Sequence, residues 1–311
     1  PKAVSAQATA SQATAALAID GDLSTAWQAS GRQRLVLDLG QAREFGGLRL
    51  HWSTADRRPE RYAVLLEDSR DGWREVRRVD EGRGDTDWIA LPEAESRRIA
   101  LAFDGGRYAM AEAQVQPLSF SAHPNDSIKA VAADLPRGWL PRGFSGEQPY
   151  WTIVGIDGGL EQGLIGEDGA VEVARGGFSI EPFLLEDGAV HSWADVRTRQ
   201  GLRRGGMPMP SVAWTTKDAA GGAIPLLDVL AFAQGRPGDS QLVVRYRLAN
   251  PGDRPREVTL ALAVRPLQVN PPSQFLNTVG GVSRIGRLAL DNGTVVVDGR
   301  PRVFAVAHTA A

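Results

Sequence analysis

Cysteine is absent from the 311 residues. That excludes disulfides, thiolate nucleophiles and thiolate zinc sites, and it leaves the redox compartment open. Lysine is almost absent: Lys2, Lys129 and Lys217 are the three among 35 basic residues, the rest being arginine. Such a bias reflects a GC-rich genome more than a function. Neither sign of charge dominates. The formal net charge of −2 gives no electrostatic case for nucleic acid or anionic lipid as a partner. No apolar run reaches the length of a membrane span, and no signal-peptide pattern opens the chain. The four histidines, His51, His123, His191 and His308, show no metal-ligand spacing. Neither Gly-x-Ser-x-Gly nor a phosphate-binding glycine loop is present.

What is there is ordinary globular material, 42% hydrophobic and 23% charged, with apolar residues enough for a sizeable core. The length favours two domains. The chain begins at Pro1 rather than methionine, so it reads as a mature or excised piece, and a periplasmic or extracellular location is expected.

Over residues 34–116 the pattern is strand, turn, strand. Leu48, Leu50 and Trp52 alternate with Arg49 and His51; Ile99, Leu101 and Phe103 repeat the period, and Gly, Asp, Pro and Ser clusters separate the runs. Ser121-Ala122-His123-Pro124-Asn125-Asp126-Ser127 reads as a linker. A short helix capped by Asp126 or Ser127 follows it, stopped by Pro136 and Pro141. β-patterning returns from residue 150, with hairpin turns at Asp187-Gly188, Asp291-Asn292-Gly293 and Asp298-Gly299. The expected class is all-β, with a first domain over 1–120, a linker with a short helix over 121–149, and an antiparallel β domain over 150–311.

Two stretches near the start carry the most specific signal. Ala18-Ile19-Asp20-Gly21-Asp22-Leu23-Ser24-Thr25-Ala26-Trp27 packs acids, glycine, hydroxyls and a tryptophan into a tight, oxygen-rich loop. Leu35-Val36-Leu37-Asp38-Leu39-Gly40 alternates like a half-buried strand. With Leu48-Arg49-Leu50-His51-Trp52, Tyr62-Ala63-Val64, Asp71-Gly72-Trp73 and Ala111-Glu112-Ala113-Gln114-Val115, this ordered set resembles the discoidin domain, the coagulation-factor type C module also found as bacterial carbohydrate-binding modules. The resemblance covers residues 3–117. It implies an eight-stranded jelly roll with ligand loops at one end and, in many carbohydrate-binding members, a structural calcium beneath them.

Asp20, Asp22 and Thr25 match the oxygen-supplying part of that motif and Glu112 a late acidic ligand. Calcium takes hard oxygens, six to eight of them. The alternative is an Asp-Gly turn in which Asp20 and Thr25 only cap backbone amides. Trp27, Trp52 and Trp73 are expected in the core rather than on a sugar-stacking platform. Ligand contact is expected from the polar loop residues Gln28, Ser30, Arg32, Arg57, Arg58 and Tyr108, since arginine and tyrosine hydrogen-bond hydroxyls while offering a flat face to a sugar ring. Solvated loop residues are the plain alternative for each. The tripeptide Arg83-Gly84-Asp85 is a chance match in an Arg- and Gly-rich chain.

In the second half, Tyr150-Trp151-Thr152-Ile153-Val154-Gly155, Gly176-Gly177-Phe178-Ser179-Ile180-Glu181-Pro182-Phe183, Trp193-Ala194-Asp195-Val196 and the run from Ala263 through Pro272 resemble the β-supersandwich that precedes a six-hairpin α-toroid in certain glycosidases and phosphorylases. In those enzymes the toroid supplies the catalytic acid, so the resemblance implies an accessory part whose C-terminal catalytic partner lies outside this chain. Glu161, Glu167, Asp168, Glu181, Glu186, Asp187 and Asp195 are the carboxylates that a glycosidase mechanism could draw on. Most sit beside glycine in turns, where acids need no function. The loop Asn270-Pro271-Pro272-Ser273-Gln274-Phe275-Leu276-Asn277 is either a stiff structural connection or a reach toward a neighbouring catalytic domain.

The reading is therefore a glycan-binding and scaffolding region of a bacterial carbohydrate-active enzyme, non-catalytic in itself, with a polysaccharide or oligosaccharide as partner. Two alternatives stand beside it. One is an adhesion or membrane-binding discoidin protein, disfavoured by the polar loop around Arg57 and Arg58. The other is a complete glycoside hydrolase acting through the second domain. The sugar, its linkage and the oligomeric state are not legible.

Overall fold

The computed structural model describes residues 1–9, 11–68, 72–82, 84–203, 207–217, 223–250, 252, 255–273 and 278–306, without the side chains of 217 and 223–225. The chain divides into two compact units, Pro1–Val131 and Ala132–Ala311. Both are built almost wholly of antiparallel sheet.

The first unit holds β1 (Ser5–Ala8), β2 (Trp27–Ser30), β3 (Gln33–Trp52), β4 (Tyr62–Asp68), β5 (Gly72–Val79), β6 (Thr86–Phe103) and β7 (Arg107–Gln116). Their order is β2-β7-β3-β6-β4-β5, with β1 also on β3. Two long strands make one sheet fold over itself. The first half of β3 pairs with β1 and with the end of β6, while its second half pairs with β7 and the start of β6. Between them the register slips twice, at Asp38/Arg43 and at Phe45/Gly47.

The alternation read from sequence fills the space enclosed. Leu35, Leu37, Leu48, Leu50, Tyr62, Val64, Ile99 and Leu101 are all fully buried in one cluster. Each such side chain contributes about 1.5–3 kcal/mol relative to exposure. Trp27 and Trp52 are in the same cluster. Gly47 allows the bend, because a Cβ there would stand 2.2 Å from the Ile89 carbonyl oxygen and 2.8 Å from the Phe120 ring.

The helix α1 spans Pro124–Asp134. It starts three residues earlier than expected. Proline suits the first helical turn, and His123, not Asp126 or Ser127, caps it: His123 Nδ1 accepts from Asn125 N and its carbonyl accepts from Asp126 N. Within the stretch expected as linker, Leu140 and Phe144 are buried.

The second unit holds β8 (Trp151–Gly155), β9 (Gln162–Gly166), β10 (Val171–Glu172), β11 (Ser179–Glu186), β12 (Ala189–His191), β13 (Arg197–Leu202), β14 (Pro210–Lys217), β15 (Ala223–Arg236), β16 (Asp239–Leu248), β17 (Thr259–Arg265), β18 (Leu288–Asp291), β19 (Thr294–Val297) and β20 (Arg300–Phe304). They form sheets β12-β11-β10-β9-β8 with β17 on β11, β13-β14-β15-β16, and β18-β19-β20. Val154, Ile165, Val171 and Leu184 from the first sheet share a core with Val212, Trp214, Leu227, Val229 and Ala231 from the second. The two sheets thus face each other across a sandwich.

Candidate functional site

Strand register brings four connections of the first unit to one end. Ser30 pairs with Arg107, Gln33 with Phe103, Tyr62 with Phe103 and with Val79, and His51 with Thr86. Residues 31–32, 53–61, 80–82 with 84–85, and 104–106 therefore lie together. Backbone bonds tie them: Gly31 N donates to Gly106 O at 2.8 Å, Trp52 N to Asp85 O at 2.7 Å, Ser53 N to Ala109 O at 2.9 Å and Asp104 N to Arg61 O at 3.3 Å. Gln28, Ser30, Arg32 and Arg57 are exposed on or beside this end.

Two residues expected to face ligand do not. Arg58 is buried, and its Nε and Nη2 donate to both oxygens of Asp87 at 2.7–3.1 Å. Trp52 Nε1 and Tyr62 OH donate to the same carboxylate at 2.9 and 2.6 Å. A buried charge survives only with a countercharge and filled hydrogen bonds, and Asp87 supplies both. Burial first, and then the adjacent carboxylate, push the Tyr62 phenol far above its ordinary range. Tyr108 is buried as well, its hydroxyl donating to Gly31 O at 3.1 Å and its ring stacked on Phe103 at 4.4 Å. Arg58 and Tyr108 are therefore supports beneath the loops and not contacts above them. Sequence reading missed Asp87, whose only local signal is an acid at the start of an alternating strand. Arg83, of the Arg-Gly-Asp tripeptide, lies outside the described residues.

The acidic loop before β2 is knit together by hydrogen bonds. Thr25 Oγ1 donates to Asp20 Oδ2 at 2.7 Å and lies 3.1 Å from Asp22 O, while Gly21 N donates to Glu112 Oε2 at 3.0 Å. Asp20 Oδ1 accepts from Asp22 N at 2.9 Å. The Asp22 carboxylate turns to Ser24, taking its N–H and its hydroxyl, and these bonds hold it below the ordinary carboxylate range. Glu112 is pushed up by burial, with Asp20 adding to the shift. Hard oxygens of Asp20, Thr25, Glu112 and the Asp22 backbone thus gather without a salt-bridging base among the described residues, a donor set that fits calcium in kind. No group of three or more His, Asp or Glu placed to hold a metal occurs among the described residues, so such an ion would rely on two carboxylates plus hydroxyl and backbone oxygens.

In the second unit the candidate carboxylates have other work. Glu167 and Asp168 pair with Arg142 at 3.3 and 2.5 Å. Glu181 is buried against Arg265 at 2.9 Å and accepts from Ser179 at 2.8 Å. Glu186 pairs with Arg256, Asp195 accepts from Ser192 N and Oγ at a helix start, and Glu161 accepts from Gly238 N. Asp187 occupies a left-handed turn position, φ 50°. Of the amide-rich loop, Asn270 N donates to buried Glu172 and Gly280 N to Pro271 O; residues 274–277, like His308, lie outside the described residues.

The family described as F5/8 type C domain matches residues 2–112. Among solved structures, chitosan-binding module 1 from a Paenibacillus sp. IK-5 chitosanase/glucanase is 22% identical, covering 36% of this chain and 92% of its own, with TM-score 0.32. A CBM32 module of Clostridium perfringens, in complex with GalNAc-β-1,3-galactose, is 18% identical over 36% of this chain and 94% of its own, TM-score 0.33. A pectin-binding carbohydrate-binding module is 16% identical over 37% of this chain and 90% of its own, TM-score 0.33. No curated protein matches the chain.

Proposed function

We propose that the first unit is a glycan-binding module and that the chain is the glycan-binding and scaffolding region of a carbohydrate-active enzyme working outside the cytoplasm. The observation that carries the reading is the joined loop end of a unit matching the F5/8 type C family. Exposed Gln28, Ser30, Arg32 and Arg57 stand there over a largely buried, hydrogen-bonded support of Arg58, Asp87, Tyr62 and Tyr108. Such bracing favours binding, because a site that is already ordered loses little entropy. Hydroxyl hydrogen bonds to sugars replace bonds to water, so affinity near millimolar is expected, about 4–6 kcal/mol. We also propose a structural calcium held by Asp20, Thr25, Glu112 and the Asp22 carbonyl. The role assigned to the second unit is support, not cleavage: among the described residues, Glu167, Asp168 and Glu181 stand in ion pairs and Asp195 in a cap, rather than as an opposed pair across a cleft.

A glycan array probed with the whole chain tests the binding. Arg32→Ala and Arg57→Ala should each weaken retention of the glycans bound while leaving the melting temperature unchanged, as both side chains are exposed. Binding that neither variant alters would remove this end as the site. Release of new reducing ends from any bound glycan, surviving repurification, would overturn the non-catalytic part.

A further inference from the structure

The outward face of the sheet β13-β14-β15-β16 is lined with arginine. Residues directly opposite in an antiparallel pair share a face. The register links Arg199, Ala213, Asp228 and Arg247 in one row, and Gly201, Ser211, Leu230 and Arg245 in the next. Arg197, two residues before Arg199, lies on the same face. The opposite face carries Val212, Trp214, Leu227, Val229 and Ala231 into the core, so the arginine face looks outward. Asp228 is its one carboxylate in these rows, already paired with Arg203 and, at 3.3 Å, with Arg245. Arg197, Arg199 and Arg247 are exposed and have no ion pair among the described residues.

The placement makes a shallow trough. Arginines stand on the two outer strands, β13 and β16, and the floor between them includes Ser211 and Ala213. Three strand spacings set its width at about 14 Å. Five guanidinium groups around one carboxylate attract an anion, and the planar fork of arginine matches a carboxylate bidentately. A single-stranded nucleic acid would want exposed aromatic rings to stack on, and among the described residues Phe232, the aromatic side chain in the adjoining row, is partly buried. A protein partner would want large exposed apolar anchors at the centre, where this face has Ser211, Ala213, Asp228 and Leu230, the leucine buried.

We propose that this face binds an acidic polysaccharide, an unbranched chain bearing uronate carboxylates. The residues belong to the second unit, and the proposal does not rest on the reading of the first.

The test is affinity electrophoresis of the whole chain in gels containing polygalacturonate, with dextran as the neutral polymer and oligothymidylate as the nucleic acid. Polygalacturonate should retard the chain at about 50 mM salt and lose that effect near about 500 mM, while dextran should not retard it. Arg199→Ala with Arg247→Ala should weaken the retardation about tenfold with an unchanged melting temperature. Arg32→Ala with Arg57→Ala should leave it intact. The proposal falls if polygalacturonate has no effect at low salt, if dextran or oligothymidylate acts as strongly, or if the effect follows Arg32 and Arg57 instead. The last outcome would leave the reading of the first unit standing.

Discussion

The guanidinium of Arg58 fills the space above Gly82, where a Cβ would stand 1.4 Å from Nη2. The absence of a side chain at position 82 is thus part of how Arg58 reaches Asp87, and through it how residues 53–61 are held over the start of β6. Arg58→Met should leave the Asp87 carboxylate, whose side chain is only 12% exposed, without its countercharge and with only the Trp52 and Tyr62 hydrogen bonds. The expected loss is about 3 kcal/mol, read as a lower urea midpoint for the first unit by tryptophan fluorescence. Gly82→Ala should act in the same direction by displacing the guanidinium. An Arg58→Met variant as stable as wild type would mean that the pair contributes nothing to holding these loops.

Gly47→Ala should be more damaging than an ordinary strand substitution. The new methyl would meet the Ile89 carbonyl at 2.2 Å and the Phe120 ring at 2.8 Å, and backbone cannot step aside as a side-chain tip can. A loss of about 2 kcal/mol or more is expected, seen as a drop in melting temperature. Gly21→Ala tests a different cost, since its φ of 84° is strained for alanine while no neighbour crowds the position.

Calcium should raise the melting temperature of the first unit, because an ion that binds only the folded state stabilises it by mass action. Scanning calorimetry with excess calcium, and then with a chelator, measures the increment. Asp20→Ala should abolish it. If chelation leaves the wild type unmoved, the loop is a hydrogen-bonded turn and nothing more.

The Glu186–Arg256 pair gives the second unit a pH dependence. Two hydrogen bonds of 2.7 and 2.6 Å from Arg256 hold the Glu186 carboxyl below its ordinary value of 4.5. A depressed acid contributes stability that is present above the unfolded value and is lost as pH falls through the folded one. Between about pH 5 and pH 3, wild type should therefore lose stability that Glu186→Gln lacks from the outset, so the two melting curves converge. The partly exposed setting keeps the difference to about 1 kcal/mol or less. Curves that stay parallel across this range would remove the pair as the cause.

Local chemistry wrote much of the first unit into its residues. The alternation of Leu35, Leu37 and Leu39, and of Leu48, Leu50 and Trp52, announced strands with one buried face, because the pleat sends every second side chain the same way. The Asp20 to Trp27 motif marked its loop and placed Trp27 in the core, since turn chemistry is set by neighbours within a few positions. What the alternation could not reveal was where polar side chains end up. Arg58 and Tyr108 read as solvent-facing loop residues, yet both are buried. A charge can leave water only where a partner waits, and Asp87 stands 29 positions away from Arg58. The arginine face was hidden in the same way by a net charge of −2. Arg199 and Arg247 belong to strands far apart in the chain, and only the pairing of β13 through β16 sets them on one surface. Distant charges acquire meaning from distance in space, which the register of the folded sheet alone decides.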